Sequence, residues 1–315
     1  MGVRLYKAAS ARRRLFKTII RLGVFARVDG WVGREHGTPV PQHPTFNFQP
    51  WLDQVRQELR IPNAQAVVSF PGQTRRARFY VNLVSPKGDP LGFAKISLDS
   101  KNDRHLLTEN ESLRGLAGQF NLSFRLPMIL AGGEFNSHQY LITETMPVDA
   151  RPIPPKWEPV PRRCHGELVR SSHRIKPIKQ LSWWDSFSEL RDQVKPLAEA
   201  VDHWADQEIE VCRAHGDFTH RNICEAANRV WVFDWENSSP DAPVLTDEVR
   251  FFWAMQSRSI TTGHGRVAAA LRRRFLTGAD EYRRRDLALA LAFLCTRTQG
   301  GIVCGRNWSQ MSQRR

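Results

Sequence analysis

The sequence predicts an α+β fold in two lobes, a small antiparallel-sheet lobe and then a mainly helical one, behind a basic N-terminal extension. Three observations carry this expectation. Short strand-patterned runs with tight turns crowd residues 64–98, and helical spacing governs 187–204 and the chain after 247. Between the helical stretches a polar loop, within residues 214–236, is flanked by two apolar runs. The 315 residues suit one large or two medium domains, and 41% hydrophobic with 25% charged content is ordinary globular usage. That composition argues against disordered, collagen-like and disulfide-scaffold classes.

The extension and linker are assigned to residues 1–63. Residues 1–31 hold eight basic residues and one acid, Asp29. Leu15, Phe16, Ile19, Ile20 and Val24 follow helical spacing with charges between them, which predicts a basic amphipathic helix over 12–28. Such a helix can make a peripheral contact with an anionic membrane or dock on its own domain, and both readings stand. Its charges interrupt any signal-peptide core. Proline-rich residues 37–50 read as a linker, and Trp51–Leu59 as a short helix.

The sheet lobe is assigned to residues 64–146. Strands are predicted at Ala66–Phe70, Phe79–Val84 and Leu91–Leu98, with turns at Pro71-Gly72 and across Pro86–Pro90. A helix over His105–Ala117 turns Leu106, Leu113 and Leu116 inward, and a further strand, Tyr140–Thr143, leads into Glu144-Thr145-Met146-Pro147. The helical lobe takes residues 147–315. Proline-rich residues 150–163 read as a loop, and Phe187–Trp204 as one helix that Pro196 can kink. Val211–Arg213 and Val230–Phe233 read as short strands, followed by helices to the end.

Charge and cysteine usage bound the class further. Lys plus Arg number 46 against 32 Asp plus Glu, a net +14, and only nine of the 46 are lysine. This excess points to an anionic partner. Arginine is spread along the whole chain and no DNA- or RNA-binding motif is present, so no nucleic-acid partner is expected. The longest apolar run, Leu287–Cys295, falls far short of the ~20 residues of a membrane span. Five widely spaced cysteines without a C-x-x-C pair read as reduced thiols of a cytoplasmic protein.

The chemistry concentrates in AHGDFTHRNICEAANRVWVFDWE, residues 214–236. Asp217 and Asn222 stand in D-x-x-x-x-N spacing, and twelve residues after Asn222 an apolar strand delivers Asp234. Phosphoryl transfer needs a carboxylate to orient the attacking hydroxyl and oxygen ligands for Mg²⁺. Asp217 suits the first task; Asn222 and Asp234 suit the second.

H-G-D-F-x-x-x-N followed by D-W-E resembles the aminoglycoside phosphotransferase and choline kinase branch of the protein-kinase-like superfamily. Protein kinases carry Arg in place of Gly216 and D-F-G in place of Asp234-Trp235-Glu236. Residues 240–252 resemble the stretch after that motif, where Asp247 would buttress the loop. The resemblance covers residues 64–260 and is more specific in its second half. It implies a two-lobe protein-kinase-like fold, ATP and Mg²⁺ as cofactors, and a strand lysine paired with a helix glutamate. Lys95 is that lysine; Glu109 is the glutamate, with Glu111 as the competing choice. Gly72 falls in the phosphate loop, whose stretch Ser69–Thr74 holds a single glycine. Glu144 and Met146 fall where backbone groups would bind adenine, and His215 is expected to be structural.

H-G-D-F, D-W-E and strand-borne Phe93-Ala94-Lys95 together look like phosphotransferases of bacterial polysaccharide gene clusters. That likeness implies a small-molecule acceptor hydroxyl, on a sugar or a lipid-linked glycan. The sparse phosphate loop keeps a second reading open, a pseudokinase scaffold in a glycan-biosynthesis complex.

Overall fold

A computed structural model describes residues 46–69, 77–118, 122–256, 264–297 and 308. The predicted basic helix over 12–28 and the Pro71-Gly72 turn lie outside these residues. The chain divides into two compact units. One runs to Asn110 and includes Pro127–Asp149; the other takes Glu111–Leu126 and everything from Ala150 onward.

The first unit opens with helix α1, Phe48–Glu58, so the predicted linker ends at Asn47. Pro50 lies in its first turn, where a missing N–H costs nothing, and the helix therefore starts ahead of the predicted Trp51. Trp51, Leu52 and Val55 turn inward. Strands β1 (Gln65–Ser69), β2 (Arg78–Val84) and β3 (Pro90–Ser97) follow. Helix α2, Ser100–Ala117, comes next, and then β4 (Ile129–Phe135) and β5 (His138–Thr143). The sheet is antiparallel throughout, in the order β1-β2-β3-β5-β4. Period-2 alternation sends Val81, Leu83, Ala94 and Ile96 into one core with Trp51, Val55 and Ile142.

Two departures from the predicted elements have local causes. Helix α2 begins five residues before His105 because Asp99 caps it: its Oδ1 accepts from Asn102 N–H at 2.7 Å and from Asn102 Nδ2 at 2.7 Å. Strand β4 was not predicted, since Gly132-Gly133 dilutes its apolar pattern. A Cβ on Gly132 would lie 3.3 Å from Leu141 Cδ1 and 3.4 Å from the Tyr140 carbonyl, so the glycine serves close strand approach.

The second unit contains helix α3, Val160–Ser172, and strands β6 (Arg174–Pro177) and β7 (Glu208–Ala214). Part of α3 replaces the predicted loop, because prolines at its start occupy a helix's first turn without penalty. The predicted single helix over Phe187–Trp204 is broken. A helical turn at Trp184–Ser188 and a 3₁₀ turn at Arg191–Val194 precede α4, Lys195–Asp202. Pro196 sits in the first turn of α4 and starts a helix instead of kinking one. Phe187, Val194, Leu197 and Val201 are nonetheless all fully buried.

Strands β8 (Ile223–Ala226) and β9 (Arg229–Val232) form a hairpin whose turn residues, Ala227 and Asn228, both have positive φ. Strand β10, Ser239–Pro243, pairs with β7, giving the order β10-β7-β6. Helices α5 (Thr246–Gln256), α6 (His264–Phe275) and α7 (Glu281–Arg297) complete the unit. Every residue from Leu287 to Cys295 is at most 3% exposed. The apolar run is a core helix packed on all sides. Among the described residues no helix is long and apolar enough to cross a membrane.

Candidate active site

Lys95 lies on β3, between Tyr80 of β2 and Leu141 of β5. With Ala94 and Ile96 committed to the α1 core, alternation puts Lys95 on the opposite face of the sheet. There Nζ meets Glu109 Oε2 at 2.6 Å, with side chains only 10% and 4% exposed. Two buried charges each carry a desolvation cost that their mutual attraction offsets only when geometry is held. The holding is visible. Arg78, fully buried, donates from Nε and Nη2 to Asn102 Oδ1 at 3.1 and 2.8 Å, and Ser97 Oγ donates to the Asp103 carboxylate. Glu109 follows Asn102 by seven residues, two turns on the same face of α2. Glu111, the competing choice, is exposed.

Of the other residues expected in this half, Gly72 lies outside the described residues. Glu144 closes the β4–β5 pair: its N–H donates to Met128 O at 2.8 Å, and its Oε2 accepts from Met128 N–H at 3.2 Å. Met146 is half-buried in the irregular segment that follows β5.

In the second unit the loop after β7 is clamped to α5. Asp247, 1% exposed, accepts from His215 N–H at 2.8 Å and from Gly216 N–H at 2.9 Å, the buttress that the resemblance implied. Gly216 has φ +76°, and a Cβ there would stand 2.1 Å from the Asn237 carbonyl oxygen. Only glycine lets this loop and the turn after Asp234 approach so closely. His215 is fully buried; its Nδ1 accepts from Asp217 N–H at 3.2 Å, so its Nε2 donates to Phe233 O at 2.7 Å. Nδ1 thus braces its own loop and Nε2 ties that loop to the segment before Asp234, a structural role. Burial pushes the neighbouring Cys212 thiol up, and the Asp247 charge adds to the shift.

These contacts present the polar side chains. Asn222 Nδ2 donates to Asp217 O at 2.9 Å and to Asp217 Oδ2 at 3.1 Å, so the amide oxygen is the atom that could serve a cation. Asp234 adopts left-handed backbone, φ 68° and ψ 58°, a region that Asp tolerates better than most residues. Its carboxylate and that of buried Glu236 offer oxygens within 4.8 Å of one another. All-oxygen donors of this kind fit a hard divalent cation such as Mg²⁺.

Sequence reasoning missed Arg250, whose guanidinium meets Asp217 Oδ1 at 2.6 Å. Asp247 and Arg250 stand three apart on one helix face, but nothing in the sequence pairs that face with Asp217. Glu236 was read only as part of the motif and not as a possible ligand.

Fold and loop together define an α+β protein that carries a helix-clamped carboxylate loop in one unit and a buried lysine–glutamate pair in the other. No protein-family model and no curated protein matches the chain. Solved structures similar to it include an aminoglycoside-3'-phosphotransferase of type VIII, at 19% identity and TM-score 0.44, over 77% of this chain and 97% of that one. Another is the GDP complex of wild-type aminoglycoside 2'-phosphotransferase-IIIa, at 12% identity and TM-score 0.46, over 82% and 96%. A third is described as a fructosamine-3-kinase from Thermobifida fusca, at 15% identity and TM-score 0.39, over 76% and 98%.

Proposed function

We infer that the protein is a phosphotransferase that moves the γ-phosphate of ATP to a hydroxyl of a small molecule. The observation that carries this reading is the double fastening of the Asp217 loop, through Asp247 on its backbone and Gly216 against Asn237. Phosphoryl transfer asks little covalent chemistry of a protein and much positioning, and this loop is built for positioning.

The residue roles follow from their chemistry. Asp217 orients the acceptor hydroxyl and takes its proton late. Asn222 and Asp234 hold Mg²⁺, with Glu236 as a further oxygen donor. The ion, when bound, neutralises charge on the phosphates. Lys95, held by Glu109, contacts the α- and β-phosphates, Gly72 belongs to the loop over them, and backbone groups near Glu144 and Met146 receive the adenine. For the acceptor we favour a sugar or a lipid-linked glycan, supported by the likeness of the H-G-D-F, D-W-E and F-A-K segments to polysaccharide-cluster phosphotransferases. On this reading the basic residues 12–28 keep a cytoplasmic protein at an anionic membrane face.

The test is a transfer screen with γ-labelled ATP and GTP across soluble sugars, aminoglycosides, choline-like alcohols and lipid-linked oligosaccharides. Label on a hydroxyl acceptor, lost in Asp217→Asn, supports the reading. Label nowhere under any divalent cation would replace it with the scaffold reading.

A further inference from the structure

A cavity of about 840 Å³ opens in the second unit beside α3, and none of its lining residues belongs to the set built around Asp217. Five arginines from three helices line it: Arg162, Arg163 and Arg170 from α3, Arg274 from α6 and Arg283 from α7. Only two carboxylates oppose them, and both are engaged. Glu158 Oε1 meets Arg162 Nη1 at 2.6 Å, and Glu248 Oε1 meets Arg274 Nη2 at 3.1 Å. Arg163, Arg170 and Arg283 make no ion pair among the described residues. Packing orients part of the wall: the Arg283 guanidinium lies 5.5 Å from the Phe275 ring centre and that of Arg274 4.8 Å from Phe252.

Arg163 and Arg170 are exposed and Arg283 is half-buried, so their guanidinium groups are open to a ligand arriving from solvent. The ligand that suits such a wall is an anion with several oxygens that accepts planar guanidinium forks. The volume is that of a site for an organic molecule, not for a bare inorganic ion.

We propose that this cavity binds a phosphate ester of about sugar size, its phosphate oxygens accepting from Arg163, Arg170 and Arg283. The proposal stands apart from phosphoryl transfer, because no residue of the Asp217 set takes part. The phosphate can belong to a soluble sugar phosphate or to the headgroup of an anionic lipid.

Titration calorimetry of the full chain, without nucleotide or divalent cation, tests it with glucose 6-phosphate, glucose and phosphatidylglycerol vesicles as probes. Glucose 6-phosphate should bind, glucose should not, and the double variant Arg163→Glu/Arg170→Glu should weaken binding by about tenfold or more, as expected for lost charge-assisted hydrogen bonds. Vesicle binding weakened by the same two substitutions identifies the lipid headgroup as the source and equally supports the site. Binding of glucose 6-phosphate should persist in Asp234→Ala; its loss there would move the ligand to the Asp217 set and overturn the proposal. So would equal binding by wild type and the double variant, or no binding of either phosphate probe. Both substituted side chains are exposed, but should the double variant fail to fold, Arg283→Ala and a salt titration of the wild type replace it. Affinity indifferent to both overturns the site.

Discussion

Arg250 donates from Nε and Nη2 to a single oxygen of Asp217, Oδ1, at 2.9 and 2.6 Å, while Asn222 Nδ2 reaches the other oxygen at 3.1 Å. Arg250 stands one turn after Asp247, so a single turn of α5 fixes both the loop's backbone and its carboxylate. Asp217 is thereby held in one orientation before any acceptor arrives, which is what a positioning role requires.

Under that role, Asp217→Asn lowers transfer to the acceptor found in the screen by about 10²- to 10⁴-fold. Nucleotide affinity stays near the wild-type value, since Asp217 is not assigned to the nucleotide. Arg250→Ala gives a smaller loss, expressed in kcat more than in KM. Steady-state kinetics with a parallel nucleotide titration reads both, and full activity in Asp217→Asn removes the assignment.

Gly216→Ala should be far more damaging than Gly278→Ala, although both glycines have positive φ, +76° and +68°. At Gly278 nothing lies within 4 Å of an added Cβ, so the cost is the left-handed strain alone, ~1–2 kcal/mol. At Gly216 the same Cβ meets the Asn237 backbone at 2.1 Å, and the two loops must separate. Urea denaturation of the two variants measures the difference; similar midpoints would mean that the loops do not need this approach.

Much of this organisation was legible in the sequence because it rests on spacing. Strand alternation placed Lys95 on the sheet, and D-x-x-x-x-N with a following Asp placed the loop residues. Helix α3 was hidden by Pro159 and Pro161, which mark loops and helix starts alike. The break before α4 was hidden because apolar periodicity survives a helix interruption when every residue still faces the core. Arg250 was hidden for a different reason. Its partner lies 33 residues back in the chain, and only folding brings α5 against the loop.

The Lys95–Glu109 pair separates burial from mere proximity. Glu109→Leu removes the carboxylate 2.6 Å from a buried ammonium and should be clearly destabilising, whereas the double variant Lys95→Met/Glu109→Leu should recover most of that loss. Glu111→Ala should stay within about 0.5 kcal/mol of wild type, as expected for an exposed side chain. Denaturation midpoints across the four proteins test this. A Glu111 effect as large as that of Glu109 would reverse the choice between them.

Four cysteines, Cys164, Cys212, Cys224 and Cys295, are buried thiols. Burial, with Glu167 adding to it, pushes the Cys164 thiol up to about 12, and Cys212 is shifted in the same direction. Since the thiolate is the reactive form, iodoacetamide at mildly alkaline pH should label these four only on unfolding. Peptide mapping of native and urea-treated protein checks this, and fast native labelling of Cys164 or Cys212 would contradict the packing around them.

Asp241 should give part of the stability a definite dependence on pH. Its side chain is 3% exposed and lies in the β6–β7–β10 sheet region, with Lys176 Nζ at 3.0 Å and Ser182 Oγ at 2.5 Å. Burial alone would push this carboxyl up, but donation from Ser182 and Lys176 outweighs it and holds the group below its ordinary value of 3.8. A carboxylate lowered on folding stabilises the protein above its unfolded value, and that contribution is lost as pH falls through the folded value. Asp241→Asn should therefore cost about 1–3 kcal/mol at neutral pH, through weakened hydrogen bonds to a formerly charged acceptor. The gap between variant and wild type should then narrow as pH drops below about 4, where both side chains are uncharged. Urea denaturation at a series of pH values reads the gap directly, and because the other carboxylates are common to both proteins, their titration cancels. A gap that stayed constant or widened on acidification would show that Asp241 is not held in its charged form by these partners.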